Sequence, residues 1–231
     1  ANSLPPKTPP APPTASDMTY CLALRLDEGL IFLSDTRTNA GVDNISTYRK
    51  LHVIQPSSDR AFVIQSAGNL ATTQEVLDRI DRDLTTPGGH ESLATVAHLF
   101  EAALYVGRIS REVVASHRDA LAASGADGTA TFILGGQIYG ARPEIFWLEF
   151  AVRVRADLDV ATKVALGSML STAHANLSVG PPYDLALYRN GSLAFEEHRI
   201  EANSEYLTEL QQVWVRHLLD AIQELPPVPW Q

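Results

Sequence analysis

Thr19, Asp35 and Lys50 are the residue types from which an activated nucleophile is built. A hydroxyl attacks a carbonyl poorly until a base removes its proton, and a threonine that begins a chain carries such a base in its own α-amino group. The ordinary pKa of that amine, about 8, lies close to neutral pH and suits the task. The amine must be free, so removal of Met18, or cleavage of everything before Thr19, is a condition of the chemistry. Asp35 lies 35 − 19 = 16 residues on and Lys50 50 − 19 = 31 residues on. A lysine ammonium beside the threonine would lower the pKa of amine and hydroxyl by its charge, and a carboxylate would hold the lysine in place. Gly68 follows Ser66-Ala67 directly after an apolar run. A main-chain N–H there could hold the oxyanion of a tetrahedral intermediate.

Each residue also has a plainer use. Threonine is common where strands start, Asp35 could close a turn, Lys50 could be a solvated charge, and glycine suits a tight strand-to-helix turn. Their joint spacing favours the chemical reading. Other constellations are weaker. Cys21 reads as a small apolar packing group. The seven histidines are scattered, with no His-x-x-x-His pair beside a carboxylate, so no metal or other cofactor is expected. Gly135-Gly136 lacks the lysine of a phosphate-binding loop. Ser171, Ser178 and His174 imitate a serine triad without a nucleophile elbow.

The spacing works only if turns bring strand ends together. Tyr20–Leu26 and Leu30–Leu33, joined by Asp27-Glu28-Gly29, read as a hairpin with Asp35 at its end. Residues 36–48 read as irregular. Leu51–Ile54 and Ala61–Gln65 form a second hairpin through Gln55–Asp59, with Lys50 at its start. Apolar residues at Leu70, Val76, Leu77, Ile80 and Leu84 predict a helix. A second helix is expected from Ser92 to about Leu121, with Gly107 as a point of interruption. Strands follow at Ala130–Ile138 and Ile145–Phe150, then a helix over Leu158–Ala175. The Asn190-Gly191 turn predicts a hairpin of Tyr183–Tyr188 with Leu193–Phe195, and a last helix spans Ser204–Leu225. Hairpins with helices in blocks, rather than alternating βαβ units, predict an α+β fold of two stacked sheets between helical layers.

The bulk numbers agree. At 231 residues with 45% hydrophobic and 19% charged content, the chain suits one globular domain, here residues 19–225. A formal net charge of −9 disfavours nucleic acid and an anionic membrane as partners. One cysteine allows no internal disulfide, and no apolar run is long enough to span a membrane; the expected location is cytoplasmic. Residues 1–18 carry six prolines and read as an unfolded leader: a pro-segment, a partner-binding tail, or sequence upstream of a start at Met18. A second proline-rich tail occupies 226–231.

The stretches Thr19-Tyr20-Cys21, Leu26-Asp27-Glu28-Gly29-Leu30, Ser34–Thr47, Arg49-Lys50, Ser66–Thr73 and Asn176–Pro182 resemble Anbu, the bacterial ancestral β-subunit of the proteasome superfamily. The resemblance runs from Met18 to about Leu193. It implies a four-layer αββα fold of the N-terminal-nucleophile hydrolase type, self-assembled as a ring or spiral. It puts the nucleophile on Thr19, its supporting charges on Asp35 and Lys50, and the oxyanion glycine on Gly68. Ser66 would edge the pocket for the residue before the scissile bond, and Ser178 would order the nucleophile's amine. Two departures stand out. The leader blocks the amine of Thr19 unless removed, and near residues 150–156 the family is expected to carry a further strand, a glycine-rich turn with a supportive serine, and a short helix.

Three functions follow as expectations. The first is a threonine peptidase or amidase acting on peptide or protein substrates; the second is a catalytically silent scaffold on the same fold; the third is a peptide-binding module. The sequence names neither the substrate nor an ATPase partner.

Overall fold

The computed structural model describes residues 19–39, 45–86, 88–147, 152–153 and 157–226. The proline-rich leader at 1–18 and nearly all of the tail at 226–231 lie outside them.

A five-stranded sheet has the order β11-β10-β2-β1-β9, formed by Phe195–Ile200, Tyr183–Arg189, Gly29–Asp35, Cys21–Arg25 and Val152–Arg153. A four-stranded sheet has the order β5-β6-β7-β8, formed by Leu51–Ser57, Arg60–Gly68, Ala130–Ile138 and Glu144–Trp147. β2 is buried along its whole length, because it is the central strand of its sheet and both of its faces are covered. That is why Leu30–Leu33 reads as a continuous apolar run instead of an alternating one.

Three apolar layers follow from this stacking. Leu30, Phe32, Leu51, Val63 and Tyr188 fill the space between the sheets. Phe62, Ile64 and Phe132 meet α1 (Leu70–Thr85) and α2 (Leu99–Ser116) on one outer face. Ile31 and Leu33 meet Leu166 and Met169 of α4 (Leu158–Ala175) on the other. α5 (Glu205–Gln223) joins that layer through Leu207 and Trp214. The architecture is α+β, two sheets between helical layers, as expected.

Several elements depart from expectation. Residues 36–48 are not wholly irregular: β3 (Arg37–Asn39) and β4 (Ile45–Thr47) pair as a small antiparallel ribbon. The second hairpin is longer than its apolar core. Pro56 sits inside β5, which tolerates it because β5 is an edge strand whose register shifts between Ile54 and Ser57. The helix expected from Ser92 starts only at Leu99. There Glu101 Oε2 accepts main-chain N–H bonds from Ala97 (2.9 Å) and His98 (3.1 Å), which fixes the N-terminus. Gly107 does not interrupt α2; the break falls at His117, before the short α3 (Arg118–Ser124). β11 runs to Ile200, well past Phe195, although most of its side chains are exposed. Around the expected insertion near 150–156, only the strand Val152–Arg153 is described, pairing parallel with β1.

Candidate active site

The β1–β2 hairpin closes with Cys21 opposite Ser34, so the next residues out, Tyr20 and Asp35, face each other. Asp35 N–H donates to Tyr20 C=O (3.1 Å), and Tyr20 N–H donates to Asp35 Oδ1 (3.0 Å). The half-buried Thr19, one peptide further, is thereby held at the mouth of the hairpin. β5 starts there too. Lys50 Nζ donates to the same Asp35 Oδ1 at 2.9 Å, and Arg37 N–H donates to Oδ2 at 3.1 Å. One carboxylate thus gathers the lysine, the peptide that follows Thr19, and the start of the β3–β4 ribbon. Asp35 is fully buried and the Lys50 side chain is 5% exposed. Burial pushes the Asp35 carboxyl above its ordinary value, while the Lys50 charge and the two N–H donors pull it back.

Ser66, also buried, is tied to this pair: its N–H donates to Lys50 C=O at 3.0 Å, and its own carbonyl accepts from Cys21 Sγ at 3.6 Å. Burial pushes the Cys21 thiol up to about 12, so it stays protonated and packs as expected. Gly68 ends β6 with φ +98°, and a Cβ there would lie 2.5 Å from Thr129 O. Both the backbone conformation and the close approach of Thr129 demand glycine.

Ser178 lies in the turn after α4, where its N–H donates to Asn176 Oδ1 at 2.9 Å. That turn is fastened to the residues just past Asp35. Arg37 Nη1 donates to Leu177 C=O (2.9 Å), Thr36 Oγ1 donates to Pro182 C=O (2.8 Å), and the Arg37 guanidinium lies where a Cβ on Gly180 would sit. The structure therefore joins Asp35, Lys50 and Ser66 in one hydrogen-bonded group, with Thr19 adjoining through the chain and the Ser178 turn fastened alongside. The sequence reading missed Thr36 and Arg37 as the fasteners; the only signal was their place directly after Asp35. Ser171 is no nucleophile here: it accepts from Trp214 Nε1 at 3.0 Å and donates to Gly167 C=O at 3.1 Å, which fixes α5 on α4.

A cavity of about 410 Å³ opens between β5 and α1, lined by neighbours of Lys50 in the chain and not by the group itself. Tyr48 and His52, which flank Lys50 in sequence, wall one side, and Gln74, Asp78 and Asp81 of α1 stand on the other. A larger cavity of about 590 Å³ lies between α2 and β7–β8 and is lined mostly by apolar side chains. Among the described residues, no three His, Cys, Asp or Glu side chains gather in a way that could hold a metal ion, and no helix is long and apolar enough to cross a membrane.

Two sheets face to face between helical layers, with a threonine entering the first strand beside a buried aspartate–lysine pair, define the proteasome β-subunit class of fold. No family model and no curated protein matches the chain. Solved structures do. Anbu from Yersinia bercovieri aligns at 34% identity and a TM-score of 0.80, over 91% of this chain and 99% of that one. The Anbu complex from Pseudomonas aeruginosa, solved as a helical assembly, aligns at 33% and 0.80 over 91% and 98%. An Anbu Gly-1 mutant from Hyphomicrobium sp. strain MC1 aligns at 34% and 0.79 over 91% and 99%. The chain belongs to the Anbu (ancestral β-subunit) family.

Proposed function

We propose that this protein is an N-terminal threonine hydrolase, a peptidase or amidase. Thr19 Oγ attacks a substrate carbonyl while the α-amine of Thr19 takes the hydroxyl proton. Gly68 N–H receives the oxyanion, and Ser178 orders the amine. The amine then passes its proton to the leaving nitrogen as the C–N bond breaks, leaving an ester on Thr19. Water, deprotonated by the same amine, attacks that ester and releases the acid. Lys50 lends its positive charge to the attack, and Asp35 positions Lys50. The observation that carries this reading is the shared Asp35 Oδ1, which accepts from both Lys50 Nζ (2.9 Å) and the N–H of the residue after Thr19 (3.0 Å). A carboxylate used only to close a turn has no need of a buried ammonium.

We extend to this chain the self-association of the Pseudomonas aeruginosa relative, solved as a helical assembly, and expect a homo-oligomer. A single cysteine suits a reducing compartment, and the cytoplasm is the location we propose. The competing reading, a silent scaffold, rests on one fact of the sequence: Thr19 nitrogen is in a peptide bond to Met18, and an acylated nitrogen is no base. Mass spectrometry of the protein's N-terminus, followed by incubation with a peptide epoxyketone, decides between them. A Thr19 N-terminus with an adduct supports catalysis; an intact leader and no adduct supports the scaffold.

A further inference from the structure

The cavity between β5 and α1, walled by Tyr48 and His52 two residues to either side of Lys50 in the chain, has a definite chemical character. Val53, Ile54, Leu77, Ile80 and Leu84 give it an apolar floor. Asp78 and Asp81 are exposed on its α1 side, and among the described residues neither is in an ion pair. The arginines of α1 are turned to other partners: Arg79 to Glu75 and Glu112, Arg82 to Asp83. On the opposite wall, burial holds the His52 ring below its ordinary value, so it is neutral at pH 7 and leaves the carboxylates uncompensated. Its Nε2 is buried without a hydrogen-bond partner. Arg49, the cation next to this wall, is paired with Glu197.

We infer that this cavity receives a lysine or arginine side chain of the substrate, the residue preceding the bond to be cut. This rests on the hydrolase reading above and adds the substrate class. The methylenes of such a side chain lie on the apolar floor while the cation reaches Asp78 and Asp81. A leucine would use the floor alone, and a glutamate would be repelled. The volume, about 410 Å³, is within the range of side-chain and ligand pockets.

The test uses three tripeptides, identical except for arginine, leucine or glutamate at the last position, each prepared as a plain amide and as an epoxyketone. Isothermal titration of the amides against the purified protein reports the cavity, and mass spectrometry of Thr19 reports the chemistry. The arginine amide should bind about tenfold tighter than the leucine amide, two exposed ion pairs' worth. In Asp78→Asn/Asp81→Asn that advantage should fall to about twofold or less. Both substitutions are on the exposed side of α1, and circular dichroism checks that the variant is folded. Arginine preference in binding with no Thr19 adduct from any epoxyketone would uphold the cavity and overturn the hydrolase. Labelling that is equal for all three, fastest for leucine or glutamate, or unchanged in the variant would overturn the cavity and uphold the hydrolase. Neither binding nor labelling by any peptide would overturn both.

Discussion

Lys50→Met keeps the length and apolar stem of the side chain and deletes its charge. In the folded protein this strands the fully buried Asp35 carboxylate, whose partner at 2.9 Å is gone. Removing one member of a buried pair costs about 3–5 kcal/mol. Asp35 still accepts the N–H groups of Tyr20 and Arg37, which puts this variant near the lower end, about 3 kcal/mol. Asp35→Ala is worse. It leaves the Lys50 ammonium, with its side chain 5% exposed, without its carboxylate, and takes the acceptor from both N–H groups, for about 5 kcal/mol. The double variant buries no stranded charge, so the sum of the singles should exceed it by about 2 kcal/mol or more. Chemical denaturation at fixed protein concentration measures all four species. The Lys50→Met cost should also depend on pH. With the ammonium gone, burial dominates and the folded Asp35 pKa rises further above its unfolded value, about 3.9. Over that window the folded state holds a proton the unfolded chain has released, so stability falls as pH rises. The cost of Lys50→Met should therefore grow from pH 4 toward 7. Additive single costs, or a cost that shrinks with rising pH, would refute the coupling.

Thr19→Ala should lose all labelling by peptide epoxyketones and change stability by no more than about 1 kcal/mol, read by intact mass and denaturation, since Thr19 is only half-buried. Gly68→Ala should cost about 1–3 kcal/mol, seen as a lowered Tm, because φ is +98° and Thr129 O lies 2.5 Å from the new Cβ. Gly167→Ala should destabilise by about 1–3 kcal/mol despite alanine's better helix propensity. Its Cβ would meet the Trp214 ring at 2.7 Å and break the Trp214–Ser171 hydrogen bond, so tryptophan emission should shift to the red.

The parts of the fold legible in the sequence are those written in local pattern. The β1–β2 hairpin is legible in Asp27-Glu28-Gly29, and the helix expected over Leu158–Ala175 has those observed limits. Elements without such a pattern are missed or cut short. β3 and β4 are only three residues each, and β11, expected to end at Phe195, runs on to Ile200 through largely exposed residues, so all three owe their strand form to pairing. The start of α2 misled for the opposite reason. Leu93 and Val96 are buried like helical core residues, yet they sit in turns before the Glu101 cap.

The site divides in the same way, and the division has a consequence. Asp35 and Lys50 stand at the ends of two hairpins, so their contact is one that counting residues anticipates, and Thr19 adjoins them through Tyr20. The cavity could not be counted out. Tyr48 and His52 meet Asp78 and Asp81 only because Val76 and Ile80 dock α1 onto Phe62 and Ile64 of the outer sheet face. The aspartate–lysine pair is thus set by strand register, and the charge of the cavity by which side chains α1 turns toward β5. Nothing in the hydrogen bonding of Asp35 or Lys50 passes through α1. The coupling energy between Asp35 and Lys50, measured again in the Asp78→Asn/Asp81→Asn background, should therefore equal the native value within about 0.5 kcal/mol. A larger change would mean that α1 tunes the pair itself, and that selectivity and chemistry are not separable in this fold.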